Sequence, residues 1–422
     1  MANEPQRGLT VVLEAPVQTP MINVTLPAIL RHAPPESPVC VVTSTACAAA
    51  IRRELVRPDT VVLAYDNFNA NPRVELDVIR RCTGVVGVQV VALREQDLLR
   101  AARIRRHLGL PGMSPESVSL FRDKLLMKQR AEQAGIAVPQ FMAVDTGADL
   151  ARAMERYAYP WIVKPRRKAA GMGFRVLRSE SDVRALLDEL APKLDWDEAL
   201  DLIAEEFVGT EMFHVDGVWS GSTFQRLVVA EYLGLKPHHD VEVSRIAEIL
   251  SGSLEVPTAD PWHAPLKAFT DKLLTVLGYG SCFAFHAEIW RRDGQLLLNE
   301  VACRTGGGQV YFLQQEVFGV NPDEMHLAAL QGRLAPWPLD ELRPVRMVAR
   351  IPPRPGRYSG PLKPLPDGTR LQMFQAGEVQ FQAPRTWHDA VGFAYAEGST
   401  REETLRRTEL AIDVFSEAVT PC

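Results

Sequence analysis

The sequence predicts an α/β fold that begins with an open parallel sheet. Short apolar runs alternate with helical patterns over about the first 100 residues, which is typical of βαβ units. Further along, two apolar strands around a tight turn indicate antiparallel pairing, so the central part of the chain is expected to be α+β. A chain of 422 residues is long enough for two or three domains, each with its own apolar core.

Four apolar runs predict the strands of the N-terminal sheet. Helical patterns lie between them at Ala46–Leu55 and Pro72–Cys82. None of the runs is followed by a GxGxxG motif, so a dinucleotide-binding oxidoreductase is not supported. The four runs are Thr10–Glu14, Pro38–Thr43, Thr60–Tyr65 and Gly84–Leu93.

Helix signals continue through the rest of the chain. Gln96–Leu108 predicts a basic amphipathic helix. Ser114 suits the N-cap and Pro115 the first turn of the next helix, which we expect to run unbroken to about Ala134. The other predicted elements are helices at Pro265–Leu277, Asn321–Gly332 and Arg401–Ala418, and hairpin strands at Cys282–Arg291 and Gln295–Val301.

The composition excludes several classes of function. The net charge is −5 and no Lys/Arg block is interleaved with aromatic residues, so nucleic acid is not an expected partner. The six cysteines form no CxxC pair, which favours reduced thiols and a cytoplasmic protein. No apolar stretch reaches the length of a membrane span, and the N-terminus lacks the apolar core of a signal peptide, so no membrane association is expected.

Two lysines and a loop with two glycines form the first candidate site. Lys124 lies on a predicted amphipathic helix, where a solvated lysine is the favoured interpretation of this residue taken alone. Lys164 lies inside an apolar strand, where a lysine is costly to bury unless its ammonium group meets an anion. In the loop Lys168–Gly173, Gly171 and Gly173 would let backbone N–H groups approach phosphate oxygens, although a plain hairpin turn would look similar.

The second candidate site is the pair of carboxylates on the predicted hairpin. Side chains alternate along a strand, so Glu288 shares a face with His286, and the turn brings Glu300 to the same side. Neighbouring carboxylates repel unless a proton or a cation lies between them, and such oxygen ligands suit Mg²⁺ bound to nucleotide phosphates. The same alternation places Asn299 on the face opposite Glu300. An exposed acidic hairpin is the alternative interpretation.

Arg304 and a run of glycines directly follow this hairpin. The arginine offers a fixed cation, and Gly306, Gly307 and Gly308 offer backbone groups that could bind an anion. Strand parity turns Cys303 away from the site, which argues against a thioester route. The hairpin, the arginine and the glycines all occur within one window of 27 residues.

In this order, the motifs resemble those of the ATP-grasp superfamily over roughly residues 110–332. The resemblance implies an ATP-grasp fold with an N-terminal α/β domain at 1–112. It implies an ATP-grasp domain at 113–332, whose lid covers about 140–208, and a C-terminal subdomain at 333–422 that completes the body. It also implies ATP and Mg²⁺ as cofactors, with one or two metal ions and with Mn²⁺ as a substitute.

The resemblance implies a role for each motif. Lys124 and Lys164 would hold the ATP phosphates under the loop that contains Lys168, and Glu211 would accept hydrogen bonds from the ribose hydroxyls. The adenine hinge, mostly through backbone groups, would be Glu205, Glu206, Phe207 and Val208. The metal ligands would be Glu288 and Glu300. Arg304 would steady the transferred phosphoryl group, with the glycines at 306–308 beside the substrate.

The sequence departs from the family at one metal position. Many members have Glu-x-Asn-x-Arg, whereas Ala302 stands here in place of the asparagine. One metal site is therefore expected to be weaker or to be completed by water or substrate. The form Glu-x-x-x-Arg-x-Gly-Gly is similar to the L-amino-acid ligase branch, which includes dipeptide-forming enzymes and carnosine synthase.

The resemblance implies an ADP-forming ligase that joins a carboxylate to an amine through an acyl-phosphate, in the synthesis of dipeptides or related amides. His286 is a candidate general base, although a structural histidine is an equal alternative. His238, His239 and Arg245 lie in a segment that could line the substrate pocket. The alternatives are a bicarbonate-using carboxylase and a non-catalytic ATP-binding regulator. Small molecules are the expected substrates. The oligomeric state is open, and a homodimer is the commonest assembly among soluble oligomers.

Overall fold

The computed structural model describes residues 7–13, 37–54, 60–169, 171–193, 199–234, 252–337, 343–358, 360, 363–375, 379–381 and 390–420. His238, His239 and Arg245 lie outside these residues, so their predicted place at the substrate pocket stays a prediction. Within the described part of the chain, no helix combines the length and the apolar character that a membrane span requires.

A parallel sheet of four strands forms the N-terminal part, as predicted. Its strand order is β3-β2-β1-β4 and every pairing is parallel. Both faces are covered, because Val11 packs in one apolar cluster and its neighbour Val12 in another. The strands are β1 (Arg7–Leu13), β2 (Val39–Ser44), β3 (Val61–Tyr65) and β4 (Val86–Ala92), with helices Thr45–Glu54, Arg73–Cys82 and Leu98–His107 and a 3₁₀ turn at Phe68–Ala70.

Two helices, Pro115–Arg122 and Lys124–Gln133, replace the single helix that the sequence predicts. Ser114 caps the first helix as expected, since its hydroxyl accepts a hydrogen bond from the N–H of the third residue along. Asp123 between them has an extended backbone, and its carboxylate accepts from the first N–H groups of the second helix. The prediction of one helix is wrong because this cap interrupts an otherwise continuous apolar pattern.

An antiparallel sheet with the strand order β5-β8-β6-β7 follows. One face packs around Trp161 and Leu150 in a buried cluster. Because side chains alternate along a strand, Lys164 and Glu205 lie on the other face. The elements are β5 (Phe141–Val144), β6 (Trp161–Pro165), β7 (Arg175–Leu177) and β8 (Leu202–Glu206), helices Gly147–Arg156 and Glu180–Leu190, and a 3₁₀ turn at Ala191–Lys193.

The largest sheet has eight strands in the order β13-β12-β9-β10-β11-β14-β18-β16. Helix His263–Gly278 packs on one face of it and helix Gln309–Phe318 on the other. The strands are β9 (Met212–Trp219), β10 (Phe224–Leu233), β11 (Gly252–Glu255), β12 (Phe283–Arg292), β13 (Gln295–Ala302), β14 (Val345–Ile351), β16 (Thr369–Met373) and β18 (Gly392–Gly398).

The C-terminal part of the chain extends this sheet. Strands β14, β18 and β16 pair in succession beyond β11, and Phe415 of the last helix is buried against them. The mixed parallel and antiparallel architecture confirms the predicted fold class, whereas the predicted boundaries at 112 and 332 stay a prediction. The remaining elements are helices Pro322–Leu330 and Arg401–Glu417 and a small sheet of β15 (Gly356–Tyr358), β17 (Val379–Phe381) and β19 (Val419–Thr420).

Candidate active site

The centre of the site is the carboxylate pair on the hairpin of β12 and β13. Glu288 and Glu300 are directly opposite each other in the antiparallel register, because a β-bulge next to Glu288 shifts the pairing by one residue. Directly opposed residues have Cβ atoms about 5 Å apart, so both carboxylates can reach a single ion. Mg²⁺ prefers carboxylate oxygens as protein ligands, and this donor set therefore fits the expected metal.

Three donors surround the Glu288 carboxylate. Its Oε1 atom accepts a hydrogen bond from the Tyr232 hydroxyl at 3.1 Å and faces Nε2 of His286 at 3.3 Å. Its Oε2 atom accepts from the side-chain amide of Asn299 at 2.8 Å. Because both oxygens have donors, the orientation of this carboxylate is set by the protein itself.

Asn299 lies at the site, contrary to the expectation from strand alternation. Glu288 pairs with Glu300, but the next residue of β12 pairs with Leu298, so a β-bulge makes Asn299 the extra residue of β13. An extra residue breaks the two-residue period of side-chain direction. The amide nitrogen of Asn299 donates to Glu288, and its Oδ1 accepts from Nζ of Lys164 at 3.1 Å. The expectation that Asn299 faces away is therefore wrong.

Lys124 connects the carboxylate pair to the loop with the two glycines. Its Nζ atom lies 3.1 Å from Oε2 of Glu300 and donates to the backbone carbonyl of Lys168 at 2.7 Å. Burial raises the pKa of Glu300, but the charges of Lys124 and Lys164 outweigh burial and lower this pKa to about 2. Glu300 is therefore ionised at neutral pH and needs no deprotonation to bind a metal.

A second buried carboxylate lies between two lysines. The oxygens of Glu205 are 3.5 Å from Nζ of Lys128 and 3.3 Å from Nζ of Lys164. Lys128 also donates to the carbonyl of Leu298 at 2.8 Å. The sequence led us to expect that Glu205 contributes backbone groups to an adenine hinge, whereas its side chain pairs with the lysines inside the protein. The buried Lys164 thus has an anion within the chain itself.

Lys128 is a site residue that sequence reasoning missed. It is fully buried, and burial lowers its pKa to about 8, although Glu205 acts in the opposite direction. A signal was available, because Lys128 follows Lys124 by four residues and such residues share one face of a helix. If one lysine faces the site, the other is expected to lie beside it.

Arginines at the end of the hairpin bind the next two predicted carboxylates. Nη1 of Arg292 lies 3.0 Å from Oε2 of Glu206, and Nε of Arg291 donates to Oε2 of Glu211 at 2.7 Å. The hydrogen bond from Arg291 lowers the pKa of Glu211. The segment Phe207–Val208 between them follows the end of β8 without regular structure, which leaves the predicted hinge role a prediction.

Arg304 is held by a residue from the N-terminal part of the chain. Its Nε donates to Glu95 at 2.6 Å, and its Nη1 donates to the carbonyl of Thr305 at 2.7 Å. The other oxygen of Glu95 accepts from Arg122. Burial raises the pKa of Glu95, but the two arginines outweigh burial and lower it. Sequence reasoning missed Glu95, although it follows the carboxyl end of a parallel strand, where ligand-binding residues of such sheets gather.

The glycines of the two loops are needed for different reasons. A Cβ atom at Gly306 would lie 2.3 Å from a methyl group of Val310, whereas one at Gly307 would meet no atom within 4 Å. In the other loop, Gly173 has φ +75° and a Cβ there would lie 2.7 Å from Cγ of Pro165. Gly171, beside it, is exposed. Backbone approach to an anion at these loops stays a prediction.

His286 belongs to a buried cluster with Asp216 and His214. Nδ1 of His286 lies 2.8 Å from Oδ1 of Asp216, and Nδ1 of His214 lies 2.5 Å from Oδ2. Burial lowers the pKa of His286, but Asp216 and Glu288 outweigh burial and raise it to about 10. His286 is therefore protonated at neutral pH and is a cation that donates toward Glu288. The possible ligand atoms of these three residues lie within 4.8 Å of one another, but a metal ion would bind them only with His286 deprotonated.

Cys303, next to Arg304, is buried in the apolar core against the large sheet. Burial raises the pKa of its thiol to about 12. A thiol in this state carries almost no thiolate at neutral pH, and the thiolate is the nucleophilic form.

Comparison with known proteins identifies the family of the central part. Residues 129–216 match the family model of the ATP-grasp domain. Residues 129–216 therefore belong to an ATP-grasp domain. The L-arginine-specific L-amino acid ligase of Bacillus subtilis is 24% identical over 239 residues, which are 55% of this chain and 55% of that ligase. The chain thus spans about half the length of the curated relatives that it matches.

Solved structures extend the likeness along the whole fold. The L-amino acid ligase of Bacillus licheniformis has a TM-score of 0.67 at 16% identity, with 98% of both chains covered. The N5-carboxyaminoimidazole ribonucleotide synthetase of Thermus thermophilus has a TM-score of 0.62 at 18% identity, with 98% of this chain and 99% of that chain covered. These likenesses confirm the ATP-grasp fold that the order of motifs predicts.

The fold brings most of the predicted site residues into one region. Lys124, Lys164 and Asn299 lie in a single network with the two hairpin carboxylates. Arg304 is held by Glu95 in the turn that follows β4 rather than by a residue of the hairpin. The network has positive groups for phosphates and oxygen ligands for Mg²⁺, which is the donor set that a nucleotide–metal complex requires.

Proposed function

We propose that the chain is an ADP-forming ligase that joins the carboxylate of one small molecule to the amine of another, with amino acids as the substrate class. The observation that carries this proposal is the direct opposition of Glu288 and Glu300 beside Lys124 and Lys164. The likeness to an L-arginine-specific L-amino acid ligase supports amino acids as substrates. That likeness covers about half of each chain, so an assay with different amino acids decides which substrates the chain uses.

The proposed reaction has two steps. A carboxylate oxygen attacks the γ-phosphorus of ATP, and the bond between this phosphorus and the oxygen that bridges to the β-phosphate breaks. The products of this step are ADP and an acyl-phosphate. The amine nitrogen then attacks the acyl carbon, the carbon–oxygen bond to phosphate breaks, and the amine releases a proton. The protein contributes positioning and charge neutralisation rather than a covalent intermediate.

Each residue of the site has its own role in this reaction. Lys124 and Lys164 bring positive charge to the ATP phosphates, and Arg304 offsets the charge on the transferred group. Mg²⁺, when bound by Glu288 and Glu300, supplies further neutralisation of the phosphate oxygens. His286 contacts Asp216 through Nδ1 and Glu288 through Nε2, so both of its ring nitrogens face carboxylates. We therefore assign His286 to the positioning of Glu288 rather than to a general base.

The test measures phosphate release with mixtures of amino acids and identifies products by mass spectrometry. We expect ADP, phosphate and a dipeptide from the wild type, and none from Glu300→Ala. Glu132→Ala, an exposed glutamate on the helix that begins at Lys124, is the matched control and should keep full turnover. Wild-type binding of ATP without turnover on any carboxylate–amine pair would overturn the ligase proposal.

A bicarbonate-using carboxylase is the second candidate, because the N5-carboxyaminoimidazole ribonucleotide synthetase structures share this fold. The same assay separates the two when bicarbonate replaces the amino acids in one arm. Phosphate release that depends on bicarbonate and on an amine nucleotide favours the carboxylase. Nucleotide binding without phosphate release in either arm favours a regulator.

A further inference from the structure

We infer that Asn299 is a positioning residue that couples the metal-binding carboxylate Glu288 to the phosphate-binding lysine Lys164. The inference rests on the proposed function, because it takes these two residues as ligands of metal and nucleotide. It goes beyond that function by assigning a role to a residue that the ATP-grasp pattern of metal ligands does not use. The asparagine is the only one on the hairpin, and Ala302 provides no amide there.

A β-bulge in β13 determines the direction of the Asn299 side chain. In a regular ladder, Asn299 would point away from the face that holds Glu300. The register shift after Glu288 makes Asn299 the unpaired extra residue, and bulges commonly redirect a side chain toward an active site. The half-buried amide then lies between the hairpin and β6, within hydrogen-bond distance of both.

The side-chain amide of Asn299 can both donate and accept a hydrogen bond. A carboxylate needs a donor and an ammonium group needs an acceptor, and a neutral primary amide provides both. The partners therefore fix the orientation of the amide, with nitrogen toward Glu288 and oxygen toward Lys164. An aspartate could accept from the lysine but would repel Glu288. A leucine of similar size could bond to neither partner.

Polar contacts connect the sheet of β6 and β8 to the sheet of β12 and β13 through Asn299. Lys164 also pairs with Glu205 on β8 at 3.3 Å, so a polar chain runs from Glu205 through Lys164 and Asn299 to Glu288. When phosphates draw Lys164, the amide transmits that displacement to the metal carboxylate, and metal binding acts in the reverse direction. Such linkage makes nucleotide and metal each increase the affinity for the other by the same factor.

The test measures binding rather than turnover. Mn²⁺ affinity is determined by electron paramagnetic resonance with and without ADP, for the wild type, Asn299→Leu and the control Gln295→Leu on the exposed end of β13. We expect about a tenfold loss of Mn²⁺ affinity in Asn299→Leu, as for other residues that orient a metal ligand. We also expect ADP to increase Mn²⁺ affinity in the wild type and in the control, and to increase it by a smaller factor in Asn299→Leu, where only direct contacts between metal and phosphate remain.

Asn299→Asp tests the same idea if the leucine variant does not fold. The carboxylate introduced at position 299 lies beside Glu288 with no donor between them. Without metal, the melting temperature of the variant should therefore be lower than that of the wild type. Mn²⁺ should then raise the melting temperature of the variant by more than it raises that of the wild type. An equal Mn²⁺ shift in both proteins, or unchanged Mn²⁺ affinity and ADP coupling in Asn299→Leu, would overturn the inference. A wild type that binds neither Mn²⁺ nor ADP would instead overturn the proposed function.

Discussion

The Oε2 atom of Glu95 lies 2.6 Å from Nε of Arg304, although 209 residues separate them in the sequence. The second oxygen of Glu95 binds Arg122, which in turn donates to the carbonyl of Arg167 at 3.0 Å. One buried carboxylate of the N-terminal part therefore holds both Arg304, which we propose binds the transferred phosphoryl group, and the segment that leads into the loop at Lys168.

Replacement of Glu95 by glutamine is expected to destabilise the protein and to impair the site. The glutamine leaves two partly buried arginines without their anion, and the loss of one partner from a buried ion pair costs about 3 kcal/mol or more. Urea denaturation should show this loss, and turnover should fall with it. Glu116→Gln is the matched control, because Glu116 pairs with Arg106 on the surface and should change stability very little. Equal stabilities of the two variants would contradict the prediction.

The sequence predicts the hairpin of β12 and β13 well because its strands and its turn depend on local rules. A regular ladder from the Arg292–Gln295 pair would place Asn299 opposite Glu288, and the β-bulge places Glu300 there instead. Asn299 could not be placed, since a bulge changes the register without a mark in the hydrophobic pattern. Glu95 could not be paired with Arg304, because that contact depends on how distant elements pack. Local chemistry is therefore predictable here, and tertiary pairing is not.

The pKa of Lys128, lowered to about 8 mainly by burial, predicts a pH dependence of stability. The unfolded chain binds this proton up to about pH 10.5 and the folded chain only up to about pH 8, so between these values the unfolded state holds more protons. The free energy of unfolding then rises with pH across this window. Lys128→Met removes the titrating group. The stability of the wild type relative to this variant should rise by up to about 3 kcal/mol from pH 8 to 10.5.

Chemical denaturation at a series of pH values measures this difference, and other titrating groups cancel because both proteins share them. A flat difference between pH 8 and 10.5 would show that Lys128 keeps an ordinary pKa in the folded state. A difference that falls with pH would mean that Glu205 stabilises the ammonium more than burial penalises it.

Replacement of Asp216 by asparagine is expected to destabilise the large sheet. Both histidines of the buried cluster hydrogen-bond to this carboxylate, and Gln314 donates to it at 3.2 Å. Removal of its charge leaves the protonated His286 without its main counter-ion, so the free energy of unfolding should fall by about 3–5 kcal/mol. Asp188→Asn, on an exposed helix position, should have almost no effect. Thermal and urea unfolding compare the two variants, and similar values would contradict a stabilising role for Asp216.

Gly306 and Gly307 are adjacent in the loop after Arg304, and their alanine variants can be compared directly. Gly306→Ala places a Cβ atom 2.3 Å from Val310 and 3.0 Å from Asp216, whereas Gly307→Ala meets open space. Overpacking of a tight site costs about 1–3 kcal/mol, so Gly306→Ala should lower the melting temperature and Gly307→Ala should not. Turnover measurements then distinguish a structural role of each glycine from a role in substrate binding. If the Gly307 backbone binds an anion, its alanine variant should keep stability and raise the KM for substrate, whereas an unchanged KM would exclude Gly307 from the site.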